Sequence, residues 1–87
     1  MLRIQKSENG EVVFSVSGQM GEEAIAELEK LISSETKGRL IVFDLKDVTL
    51  INENAVTFFV RCEANGLTLK NCPTFIREWI NVQRRES

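Results

Sequence analysis

Leu40-Ile41-Val42-Phe43-Asp44-Leu45-Lys46-Asp47-Val48-Thr49-Leu50-Ile51-Asn52-Glu53-Asn54-Ala55-Val56 is the stretch on which the fold turns. Leu40 to Phe43 is the longest unbroken apolar run in the chain. An apolar run without alternation suits a strand buried on both faces, so residues 39–45 are expected as the centre of a sheet. Residues 44–49 turn polar and are expected as a loop, with the pair Leu50-Ile51 pinning it to the core. Asn52 is an N-cap type residue, whose side-chain oxygen can accept from an N–H of the first helical turn. A helix is therefore expected from Glu53. Ala55, Val56, Phe58, Phe59 and Cys62 give it a broad apolar face, and Asn65-Gly66 supply a left-handed stop.

Upstream, residues 22–34 place Ala24, Ile25, Leu28, Leu31 and Ile32 at helical spacing, with Glu22 and Glu23 in the first turn, where the helix dipole favours negative charge. Gly38 ends the connection to the central strand. Residues 2–6 and 11–17 alternate apolar and polar about Asn9-Gly10, the signature of a β-hairpin, and Gly18 is expected to end its second strand. Downstream, residues 67–69 read as a short last strand. Pro73 is expected to open a third helix, with Phe75, Ile76, Trp79 and Ile80 as its core stripe and Trp79 as a core anchor. The order β-β-α-β-α-β-α predicts an α/β fold: a small mixed four-stranded sheet with one antiparallel edge pair and three helices mainly on one face. The 87 residues are expected to form a single domain, 1–87, with about 82–87 as a frayed C-terminal tail. A domain this small is marginal, with a stability of about 5 kcal/mol.

Composition narrows the chemistry. Net charge is −2 with the two signs interleaved, which argues against a nucleic-acid partner; the one basic pair is Arg84-Arg85. No apolar run approaches a membrane span and the first residues lack a secretory signal, so a cytoplasmic protein with no membrane partner is expected. Cys62 and Cys72 do not have zinc spacing and the chain has no histidine, so both are read as small buried or half-buried hydrophobes. Nucleophile elbows, Walker loops and dinucleotide fingerprints are missing. Asp44 and Asp47 are read as loop residues and not as an acid/base pair. No enzyme activity, cofactor or metal is expected.

The opening stretch resembles the signature of the STAS domain (sulfate transporter and anti-sigma factor antagonist): an apolar strand, Asp-Leu, a short spacer, Val, an apolar pair, then Asp-Ser-Ser-Gly-Leu opening a helix. Residues 12–18 are similar to the family's second strand with its terminal glycine. Leu67-Thr68-Leu69 with Pro73 resembles its last strand and final helix, so the likeness spans nearly the whole chain. It implies a STAS-like fold and a non-catalytic protein-binding module of bacterial signalling or transcription regulation. The implied partner is an anti-sigma factor, a kinase-like protein or another signalling protein. In anti-sigma factor antagonists the first serine of the tetrad is phosphorylated by the partner kinase, which prevents binding. Here the tetrad reads Asn52, Glu53, Asn54 and Ala55. Glu53 stands at the phosphosite-equivalent position and cannot accept phosphate, so the switch is not carried over. Glutamate and phosphoserine both place an anion where unpaired helix N–H groups favour one. Glu53 thus either holds the surface in a permanently charged state or is a first-turn residue worth about 0.3–1 kcal/mol to the helix.

The expected partner surface is Asp47, Thr49, Asn52, Glu53, Asn54 and Thr57, because open α/β sheets present function beyond the carboxyl ends of their strands. Thr49 and Thr57 are the hydroxyls nearest the altered tetrad. Two other functions stay open. One is an oligomeric scaffold subunit of a signalling assembly, with the third helix and Trp79 as an interface and room for a homodimer. The other is a small-molecule or nucleotide sensor, which the missing phosphate loop disfavours.

Overall fold

The structure is a computed structural model that describes residues 2–8, 10–35 and 40–86. Alternation builds the first hairpin. Strand β1 (Arg3–Glu8) pairs antiparallel with β2 (Val12–Met20), Ile4 opposite Val16 and Lys6 opposite Phe14. Gly10 takes φ 84°, a left-handed value that costs glycine no Cβ strain. Asn9, its expected companion in the turn, lies outside the described residues, as do Gly38 and Arg39. Strand β3 (Ile41–Ile51) runs parallel to β2, and β4 (Thr68–Lys70) parallel to β3, in the sheet order β1-β2-β3-β4. Helices α1 (Glu22–Ser34), α2 (Glu53–Ala64) and α3 (Thr74–Glu86) complete the expected order β-β-α-β-α-β-α around a mixed four-stranded sheet.

Val12, Phe14, Val16 and Met20 of β2 are buried, while Val13, Ser15 and Ser17 between them are half-buried. The buried set forms one cluster with Phe43, Leu45 and Val48 of β3 and with residues of all three helices, among them Leu28, Phe59, Ile76 and Ile80. Side chains two apart share a sheet face, so the three helices cover the same one. The Phe43 ring lies at the centre, its centroid 6.0 Å from Phe14, 6.2 Å from Phe58 and 6.1 Å from Phe59.

Strand β3 outruns its sequence pattern. The expected strand stops at Leu45 and a loop follows over residues 44–49, but pairing continues through Ile51, so Asp47 and Thr49 are strand residues. The register with β2 slips between Ser15 and Ser17 and again between Gly18 and Gln19. Each slip resets which side chains face the helices, and Leu45 and Val48 are both buried although three apart. Bulges of this kind defeat a reading based on strict alternation. Gly18 does not end β2. It sits inside the strand at φ 94°, paired with Val48, and β2 continues to Met20. At the other end of β3, Leu40 precedes the strand and is 51% exposed, while Val42 and Phe43 are buried as expected.

Helix α2 ends as its sequence indicates. The Gly66 N–H donates to the Glu63 carbonyl at 3.1 Å and the Leu67 N–H to the Cys62 carbonyl at 3.0 Å, a Schellman cap with Gly66 at φ 91°. Helix α3 departs from expectation in three ways. Pro73 is its N-cap and not its first residue, since the Pro73 carbonyl accepts from the N–H groups of Ile76 and Arg77. The tail is not frayed over 82–86: the helix runs to Glu86, and Arg84 reaches Glu63 Oε1 at 3.2 Å. Of the expected stripe only Ile76 and Ile80 face the core, while Phe75 is 47% and Trp79 36% exposed. Full burial of Ile76 and Ile80 leaves Trp79 turned outward, and Arg77 forks onto both Glu63 oxygens at 2.9 and 3.1 Å, tying α3 to α2 in that rotation.

Cys62 is buried on α2, and burial pushes its thiol up to about 12. Only the thiolate is a good nucleophile. Cys62 is therefore expected to resist a thiol reagent at mildly alkaline pH in the folded protein and to label only after unfolding. Rapid labelling of Cys62 in the native state, read by peptide mass spectrometry, contradicts this. Among the described residues no helix is long and apolar enough to cross a membrane.

Candidate functional site

Strands β2 and β3 lie side by side and parallel, and each runs directly into a helix. The starts of α1 and α2 are therefore neighbours at the carboxyl end of the sheet. The junction is tied together: the Asn52 N–H donates to the Met20 carbonyl at 3.2 Å. Asn52 caps α2, its Oδ1 accepting from the Ala55 N–H at 2.9 Å, as the sequence indicates. Its Nδ2 donates across to Glu22 Oε2 on α1 at 3.1 Å, and Asn54 Nδ2 donates to Glu22 Oε1. These bonds hold the Glu22 carboxyl below the usual glutamate range, the one from Asn54 first, then its own backbone N–H and Asn52.

Glu53 is exposed at the first position of α2. Among the described residues no hydrogen bond or ion pair engages its carboxylate. Its backbone does the structural work: the Glu53 carbonyl lies 3.1 Å from Thr57 Oγ1 and 3.5 Å from Gln83 Nε2 of α3. Thr57 Oγ1 also lies 2.9 Å from Gln83 Oε1.

The expected surface thus splits. Asn52, Glu53, Asn54 and Thr57 come together at the start of α2. Asp47 and Thr49 do not join them, because both belong to β3. Asp47 lines a shallow polar depression on the helix-free side of the sheet with Gln5, Ser15, Ser17, Asp44 and Lys46. Asp44 has a structural task there, its Oδ1 accepting from the Lys46 N–H at 3.1 Å and from Asn71 Nδ2 at 3.3 Å.

Glu22 and Gln83 were not among the expected site residues. Glu22 could have been found from the fold, since helices that follow adjacent parallel strands must begin side by side. Gln83 carries no comparable signal. Between the two helix starts lies an open hollow of about 640 Å³, lined among others by Leu2, Met20, Gly21, Glu22, Leu50 and Asn52. Leu50 is 58% exposed at its rim and not a core pin; only Ile51 of that pair packs on the core. No group of three or more Cys, Asp or Glu side chains among the described residues is placed to hold a metal.

No protein-family model matches the chain. No curated protein matches it either. Among solved structures, an uncharacterized protein of the DUF3478 family with a SpoIIAA-like fold, from Shewanella loihica PV-4, is similar to it with a TM-score of 0.54. The two are 12% identical, the match covers 74% of this chain, and this chain spans only 57% of that neighbour's length. Identity at that level speaks to fold alone, and the strand order and mixed sheet described above agree with it. The chain therefore has a SpoIIAA-like, that is STAS-like, α/β fold.

Proposed function

We propose that this chain is a non-catalytic regulatory module of the anti-sigma factor antagonist type, acting by binding another protein through the start of α2. Phosphorylation at the usual serine position does not gate it, because that position is Glu53. One observation carries the reading. Asn52, Asn54 and Thr57 are all committed to bonds inside the protein, and the Glu53 carboxylate between them is free of described partners and faces solvent. A fixed anion on a rigid helix start suits a partner that offers a basic side chain. In this reading the charge is permanent and the protein works in the cytoplasm of a bacterium.

The test is affinity capture from the host with the wild-type chain, Glu53→Lys and Glu53→Ser as baits. A specific protein is expected on the wild type, with recovery reduced about tenfold or more by Glu53→Lys and less by Glu53→Ser. Circular dichroism should show both variants folded, since residue 53 is exposed. Equal recovery of the same proteins on all three baits contradicts the proposal.

A further inference from the structure

Phe75, Trp79 and Val82 are exposed by 47%, 36% and 46%, and their spacing of four and three residues puts them in one stripe along α3. The other large exposed hydrophobics, Leu40 and Leu50, belong to other elements, and single exposed side chains of that kind are ordinary. A continuous apolar stripe on a helix whose adjoining face already packs on the core through Ile76 and Ile80 is an interaction surface.

We infer that this stripe pairs with the same stripe of a second copy of the chain, the two α3 helices lying antiparallel about a twofold axis near Trp79 and Val82. Charge selects the occupant. Glu78 and Arg85 lie on one flank of the stripe, two turns apart. Both are exposed, and no ion pair engages either among the described residues. In an antiparallel pair the same flank of each helix meets its counterpart. Glu78 of one copy then faces Arg85 of the other, twice, while Trp79 of each packs on Val82 of the other. The charged flank and the Trp79–Val82 centre are each complementary to themselves about this axis, as a twofold interface requires. Arg77 and Arg84 point elsewhere, each bound to Glu63. Phe75 of each copy lies towards Glu86 at the end of the other's helix, so the apolar contact is that of Trp79 and Val82, at the small end of specific interfaces, and the dimer is transient, with a Kd of about 1–100 µM. Nothing in this pairing depends on the role of Glu53.

Sedimentation equilibrium of the full chain from about 1 µM to 1 mM reads the outcome. The average mass is expected to rise from 9.9 kDa towards twice that value. Val82→Glu, Glu78→Arg and Arg85→Glu should each weaken association by about tenfold or more. An equimolar mixture of E78R and R85E should associate again, because each then supplies the charges the other lacks. The substituted positions are exposed, so circular dichroism should show the variants folded. A wild type that stays at 9.9 kDa throughout overturns the inference. So does a dimer indifferent to these substitutions, or a mixture no tighter than its components.

Discussion

Phe43→Ala is expected to cost about 3–5 kcal/mol, close to the whole stability of a domain this small. Phe43 is fully buried in the central region of the sheet and its ring touches the rings of β2 and α2. Removing it opens a cavity that rigid neighbours on two layers cannot close. Urea denaturation followed by circular dichroism should find the variant largely unfolded without denaturant. Phe43→Leu, which keeps most of the volume, should remain folded. An alanine variant with a midpoint like that of the wild type would remove Phe43 from the centre of the core.

Asn52→Ala is expected to cost about 1–2 kcal/mol, the upper part of the range for losing an N-cap. Two bonds disappear at once, the cap on the Ala55 N–H and the link to Glu22 that joins the starts of α1 and α2. Asn52→Ser keeps a cap without the link and should cost less. The partner of that link is itself pH-dependent. Glu22 has a depressed folded pKa, so its contribution is complete above the ordinary value of 4.5 and is lost as the pH falls through the lower folded value. The stability difference between wild type and Glu22→Gln should therefore be present at neutral pH and vanish in acid. Denaturant midpoints across that range check both expectations. An alanine variant as stable as the wild type would show that the two helix starts are not held by Asn52.

Much of this architecture could be read from the residues. The extent of α1 and the Asn52 cap and Gly66 stop of α2 follow from local chemistry that tertiary packing did not override. What escaped was set by neighbours. The two register slips between β2 and β3 carry the strand through Asp47 and Thr49, and only the pairing partner reveals them. Polar character there reflects the helix-free face of the sheet, not a loop. Trp79 was misplaced because helical spacing groups Phe75, Ile76, Trp79 and Ile80 on one side without saying which part of that arc meets the core. The docking of α3 decides it, burying Ile76 and Ile80 against the core, and the Arg77–Glu63 fork between α3 and α2 accompanies that rotation. At the site, Glu53 and its capping neighbour could be located from the sequence. The engagement of Asn54 by Glu22 and of Thr57 by Gln83 could not, since both depend on how separate helices dock.

The most direct measurement is photo-crosslinking in the host cell from position 50, exposed at the rim of the hollow between the two helix starts. The same crosslinker at position 65, past the far end of α2, serves as the comparison. One protein captured from position 50 and not from 65, and lost when Glu53→Lys is added, is the predicted result. Equal capture from both positions, or capture from position 50 that ignores Glu53→Lys, would contradict a partner surface at the start of α2.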